Sequence, residues 1–243
     1  MITNKLFIFE TPDETARAVA KVILTKVKEK TKKSLPLNIA ISGGSTPKLL
    51  FTLLAEEYAD VLPWHFLRIF WVDERCVPPT HAESNFGMTY ESLLTRVPIS
   101  ENNVFRMQGE SNPQTEAKRY QALLEKELPE KNNFPQFDLI LLGMGEDGHT
   151  ASIFPQDMSL LNSELAVAVG VHPENGQKRI TLTGSTIQQA QHIILFITGS
   201  SKSGILRPII HQEQSCENYP AYQIAKNSES VVFYMDKAAA SEL

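Results

Sequence analysis

The chain has 243 residues, 42% of them hydrophobic and 21% charged, with a formal net charge of -5. That length supports one well-filled core or two small ones, and the balance is that of a globular protein rather than a disordered or fibrous one. The acidic surplus argues against a nucleic-acid partner, the two cysteines (Cys76 and Cys216) form no framework, and no apolar stretch is long enough to span a bilayer. With no apolar leader near Met1, a cytoplasmic protein is expected.

In chain order, Lys5–Phe9 reads as a short strand and Thr11-Pro12-Asp13-Glu14 as a helix start, a capping box with proline at the first helical position. Ala16, Val19, Ala20, Ile23 and Val27 then recur at helical spacing. Leu37–Ile41 is an apolar strand that runs into Ser42-Gly43-Gly44-Ser45-Thr46, and Pro47 opens the next helix. Leu67–Val72 is a strand ending at Asp73-Glu74-Arg75, and Asn112-Pro113 starts a polar helix that runs to about Leu128. Phe137–Leu142 is a buried-type strand ending in Gly143-Met144-Gly145. Further strands are predicted at Arg179–Thr183, His192–Thr198 and Val231–Met235, with a helix over Ser203–Ile210. There is no repeat or Gly/Ser linker, so one domain over residues 1–243 is expected.

Strands alternating with helices imply a mainly parallel sheet covered on both faces. Ligands bind outside the carboxyl ends of such strands. Four polar signatures follow strands directly: Ser42–Thr46, Asp73–Arg75, Gly143–Thr150 and Gly199–Lys202. They converge on one rim.

Gly43, Gly44 and Ser45 form a strand–turn–helix junction whose free amides suit a phosphate, or simply a tight turn with Thr46 as N-cap. Asp73, Glu74 and Arg75 end a largely apolar strand, where charges face a ligand or knot together in a structural salt bridge. Gly143–Thr150 matches G-x-G-x-x-G, and nearly a phosphate-binding P-loop with His149 in place of lysine. Glu146 and Asp147 would sit where the phosphates must nestle, and Pro155 cuts short the following helix, so both readings fail. The glycines instead project Asp147 and His149 into the site, and His149 beside a carboxylate suits a general base. The other histidines have no metal-type spacing and no serine sits in a nucleophile elbow, so neither a metal nor a nucleophilic serine is expected. Arg179 and Lys202 are the cations available for a phosphate on the same rim.

The strings ISGGSTPKLLF from Ile41, FWVDERCVPPTHAESNFGM from Phe70, FDLILLGMGEDGHTASIFP from Phe137, RITLT from Arg179 and TGSSK from Thr198 resemble the 6-phosphogluconolactonases. Their order and spacing match over essentially the whole chain. The resemblance implies a three-layer α/β/α modified Rossmann-like fold with a mainly parallel sheet, shared with glucosamine-6-phosphate deaminases and ribose-5-phosphate isomerases. It puts the catalytic histidine on His149 with Asp147 beside it, Asp73 being a third catalytic candidate. The phosphate site falls on Gly43, Gly44, Ser45, Arg75 and Lys202, with Arg179 added. It implies hydrolysis of 6-phospho-D-glucono-1,5-lactone, a small-molecule substrate with no cofactor, and a monomer is expected. The alternatives are an amino-sugar phosphate deaminase on the same fold, and a sugar-phosphate sensor. The sensor would carry a helix-turn-helix and a basic patch, whereas this acidic chain starts with the first strand of the domain. Where the deaminases place a glutamate five residues after the histidine, this chain has Phe154. Two departures from the family, Gly184–Gln188 after RITLT and Phe233 in place of a tryptophan, leave the detail of the pocket wall open and the chemistry unchanged.

Overall fold

The computed structural model describes residues 5–243. Seven strands form the main sheet: β1 (Leu6–Phe9), β2 (Leu37–Ile41), β3 (Leu67–Trp71), β5 (Val104–Phe105), β8 (Leu139–Leu142), β11 (Ile193–Ile197) and β12 (Val231–Asp236). Their order is β1-β12-β11-β8-β2-β3-β5, with every neighbouring pair parallel. Every residue of β2, β8 and β11 is buried, as continuous apolar runs require when helices cover both faces. Among the described residues seven helices accompany the sheet: α1 (Pro12–Thr31), α2 (Ser45–Glu57), α3 (Asn85–Ser92), α4 (Pro113–Glu127), α5 (Gly184–Ile187), α6 (Ser203–His211) and α7 (Pro220–Asn227). None is long and apolar enough to cross a membrane.

The helix signals act as chemistry demands. Thr11 Oγ1 accepts the Glu14 N–H at 3.1 Å, and the Glu14 carboxylate reaches back to the Glu10 N–H, one residue before the cap. Ala16, Val19, Ala20, Ile23 and Val27 are the buried stripe of α1. In α4 the Asn112 side chain accepts the Thr115 N–H and Pro113 takes the first turn. The second helix starts earlier than Pro47: Gly44 is its N-cap, at φ 109°, so Thr46 lies inside the first turn.

A second sheet departs from the sequence reading. Asp73–Arg75 is itself a strand, β4, paired antiparallel with β10 (Lys178–Leu182), which pairs in turn with β9 (Val167–Val171). A hairpin of β6 (Glu130–Lys131) and β7 (Phe134–Pro135) completes the strands. Val72 is the pivot between the two main sheets: its N–H donates to Ile41 O, and its carbonyl accepts from Leu182 N. The register sets Arg75 opposite Arg179, so two residues 104 positions apart stand side by side above the carboxyl ends of the parallel strands.

Candidate active site

The loops after β2, β3, β8 and β11 enclose one cleft. Ser42–Pro47, Asp73, Arg75, Asn85, Gly143–Gly145, His149, Ala151, Arg179, Thr198 and Lys202 all contribute to its wall. Of the residues singled out by sequence, His149, Asp73, Gly43, Gly44, Ser45, Arg75, Arg179 and Lys202 line it, while Asp147 stands behind His149.

The turn after β8 is braced at several points. Thr150 Oγ1 donates to Gly143 O at 2.8 Å, Gly145 N to His149 O at 2.9 Å and Gly148 N to Gly145 O at 3.1 Å. Gly148 has φ 81°, and a Cβ there would lie 2.6 Å from the Tyr219 ring. A Cβ on Gly145 would lie 2.1 Å from His149 Nδ1. Gly148 thus holds a left-handed turn that favours glycine, and a side chain at Gly145 would displace the His149 ring.

Asp147 Oδ1 accepts the His149 backbone N–H at 3.1 Å and lies 2.6 Å from Nδ1 of the same ring. A carboxylate there places the imidazole proton on Nδ1 and leaves Nε2 with its lone pair. Partial burial pushes the Asp147 carboxyl up, but the hydrogen bond and charge of His149 outweigh it, and the group is held below the usual aspartate range.

Asp73 and Glu74 divide the roles that adjacent acids at a strand end can take. Asp73 is buried at the cleft wall, where Ser152 Oγ donates to Oδ2 at 2.7 Å and Asn85 Nδ2 to Oδ1 at 3.3 Å. Glu74 points away from the cleft and accepts the backbone N–H groups of Arg75, Asn85 and Phe86 together with the Ser84 hydroxyl. Burial pushes its carboxyl up while the three backbone donors pull it down, burial prevailing. Glu74 is thus a cap for α3, a helix that the sequence reading did not place. The Ser84 side chain, which accepts the Gly87 N–H at 3.0 Å, was the signal available for it.

Asn85, on that helix, was also not singled out. It donates to Asp73 O at 2.9 Å and packs against Gly43 so closely that a Cβ on Gly43 would fall 1.8 Å from Asn85 Oδ1.

Arg75, Arg179 and Lys202 bring three cations to the cleft wall. Arg75 donates from Nη1 to Glu83 O at 2.7 Å, but its Nε is buried without a partner, as is that of Arg179. Among the described residues neither guanidinium makes an ion pair. Burial, followed by the like charge of Arg75, lowers the pKa of Arg179. Arg179 is buried and Arg75 half-buried, and each leaves a buried Nε–H without an acceptor, which costs free energy. Lys202 Nζ lies 3.5 Å from the exposed Glu146 carboxylate, an ion pair open to exchange. Thr46 and Thr198 join the β2 and β11 loops through a 2.7 Å hydroxyl contact. Gly44 offers no side chain to cap the first amides of α2, which face the same cleft.

Neither family departure reaches this wall. Gly184 meets Leu161, where a Cβ would lie 2.5 Å from its carbonyl oxygen, and Phe233 is fully buried in the core. The detail of the wall that they left open is set by other residues. Among the described residues, no group of three or more His, Cys, Asp and Glu side chains is placed to hold a metal ion.

The family model described as glucosamine-6-phosphate isomerases/6-phosphogluconolactonase matches residues 10–233, and the chain belongs to that family. Its relatives include the 6-phosphogluconolactonase of Treponema pallidum, 41% identical over 215 residues, which cover 88% of this chain and 89% of the relative. The solved 6-phosphogluconolactonase of Trypanosoma brucei is 31% identical, covers 98% of each chain and superposes with a TM-score of 0.87. A monomeric glucosamine-6-phosphate deaminase shares the fold, with a TM-score of 0.79 at 20% identity. Within the family the chain stands with the 6-phosphogluconolactonases, enzymes of the hydrolase class.

Proposed function

We propose that the protein hydrolyses 6-phospho-D-glucono-1,5-lactone to 6-phospho-D-gluconate, with His149 as general base. The observation that carries this reading is the pairing of Asp147 with His149 Nδ1 at 2.6 Å, on the same rim as two arginines, one buried and one half-buried, whose buried Nε–H groups lack partners. A base whose Nε2 is free needs a proton to take. A pair of guanidiniums with spare donors suits a phosphate.

In this reading the substrate phosphate sits among Arg75, Arg179, Lys202 and the amides of the Gly43-Gly44-Ser45 turn. Lys202 exchanges Glu146 for the phosphate, and remote binding fixes the lactone ring against His149. Water gives a proton to Nε2 as its oxygen bonds to C1 and the carbonyl becomes an oxyanion. As the tetrahedral intermediate collapses, the bond between C1 and the ring oxygen breaks, and the imidazolium proton passes to that oxygen. The new carboxylic acid loses its proton to solvent. A δ-lactone is already an activated ester, so neither a covalent intermediate nor a cofactor is required. Asp147 holds the tautomer and stabilises the imidazolium. Asp73, with both oxygens engaged, holds Ser152 and Asn85 in place as the buried anion of the cleft wall, while proton transfer falls to His149.

His149→Asn tests the reading. A positioned base contributes about a hundredfold to ten-thousandfold, so kcat for the phosphorylated lactone is expected to fall at least about a hundredfold with the circular dichroism spectrum unchanged. A kcat near the wild-type value would remove His149 from the chemistry.

A further inference from the structure

One aromatic ring touches both halves of the proposed site. Phe154 is fully buried, its centroid 4.7 Å from the His149 imidazole and 5.7 Å from the guanidinium carbon of Arg179. On a further side His172 packs edge-on at 5.2 Å, which limits where the ring can move. The His149 ring is thereby held at two places, by Asp147 at its edge and by Phe154 against it. Arg179 has a buried Nε without a partner and a like charge beside it, offset by the charges of Asp73 and Glu83. The electron-rich face of Phe154 is its favourable contact with an uncharged group.

We propose that Phe154 is a positioning residue shared by the general base and the phosphate arginine, and that its ring sets the separation between His149 and Arg179. This rests on the assignments of His149 as base and Arg179 as phosphate ligand. A substrate must reach from one to the other, so the rigid spacer makes Phe154 a determinant of specificity for lactones that carry their phosphate at a fixed distance from the carbonyl. An aliphatic side chain of similar size fills the volume but offers neither a flat face nor a π cloud.

The test is steady-state kinetics of Phe154→Leu and, as a second variant that fills gaps more freely, Phe154→Met, each alone and combined with His149→Asn or Arg179→Ala. Phe154→Leu is expected to lower kcat and to raise KM for 6-phosphogluconolactone about threefold to thirtyfold, the range of a desolvated cation–π contact. Unphosphorylated gluconolactone should show the kcat loss without the KM change. In the Arg179→Ala background the leucine should raise KM no further, and in the His149→Asn background it should lower kcat no further, because each effect passes through the group already removed. Losses that add fully in both backgrounds, or unchanged kinetics in both Phe154 variants, would overturn the proposal. If Arg179→Ala leaves KM unchanged or His149→Asn leaves kcat unchanged, the site assignment itself fails, whatever Phe154→Leu does, and the proposal falls with it.

Discussion

Asp147 decides which nitrogen of His149 can work. Its Oδ1 collects both the backbone N–H and the ring Nδ1 of His149, so one oxygen fixes the position, plane and tautomer of the imidazole. Asp147→Asn removes the charge and offers an amide that can present N–H to Nδ1, favouring the wrong tautomer. We expect kcat to fall about a hundredfold or more with KM little changed, measured on the phosphorylated lactone. An unaltered kcat would show that His149 needs no orienting anion. The same pairing has a pH signature. The folded-state pKa of Asp147 is held down, so its contribution to stability is complete above the unfolded value of about 3.9 and is lost as pH falls through the lower folded value. Urea titrations should therefore show wild type more stable than Asp147→Asn near neutrality, with the gap closing at the acid end. A gap that widens toward low pH would contradict this. His149 and Asp147 were legible because they are two residues apart in one turn. Phe154 packs on Arg179 across 25 positions, and linear spacing carries no trace of that contact.

At the scale of elements, the unit formed by β4 and α3 holds the cleft wall. Glu74 is 1% exposed and satisfies three backbone N–H groups, two of them in the first turn of α3. Glu74→Ala leaves those donors buried without an acceptor, which costs roughly 2–5 kcal/mol. The expected result is a lowered denaturation midpoint in urea, with reduced activity as Asn85 and Asp73 lose their support. A midpoint unchanged within error would mean that α3 does not depend on this cap. Gly145 tests the other wall: its Cβ contact with His149 Nδ1 predicts that Gly145→Ala lowers kcat at least about tenfold by displacing the base. Near-normal kcat in that variant would mean that the turn yields to the added methyl. The sequence reading met the DER segment as charges at a strand end and left its role open between ligand and structure. Residue by residue the segment divides: Asp73 and Arg75 line the cleft, and Glu74 faces away to cap α3. A three-residue strand has too little alternation to announce that division, because its partner β10 lies about a hundred positions further on.

For the molecule as a whole, the parallel sheet was the most legible feature. Continuous apolar runs at β2, β8 and β11 leave few architectures open, and the polar signatures at their carboxyl ends fall together by topology. The small antiparallel sheet escaped the reading because β9 and β10 continue the same rhythm of apolar segments and differ only in direction, which periodicity does not encode. That sheet carries Arg179 to Arg75, so the phosphate end of the proposed site depends on the least legible part of the fold. The deaminase fold is shared, and the chemistry must therefore be separated by side chains. At the position where the deaminases would have a second acid/base group stands Phe154, which can neither give nor take a proton. The most direct measurement follows acid release from 6-phosphogluconolactone and ammonia release from glucosamine 6-phosphate with the same purified protein. The account predicts lactone hydrolysis well above the spontaneous rate and no ammonia; ammonia released at a rate comparable to hydrolysis, or hydrolysis no faster than in buffer, would contradict it.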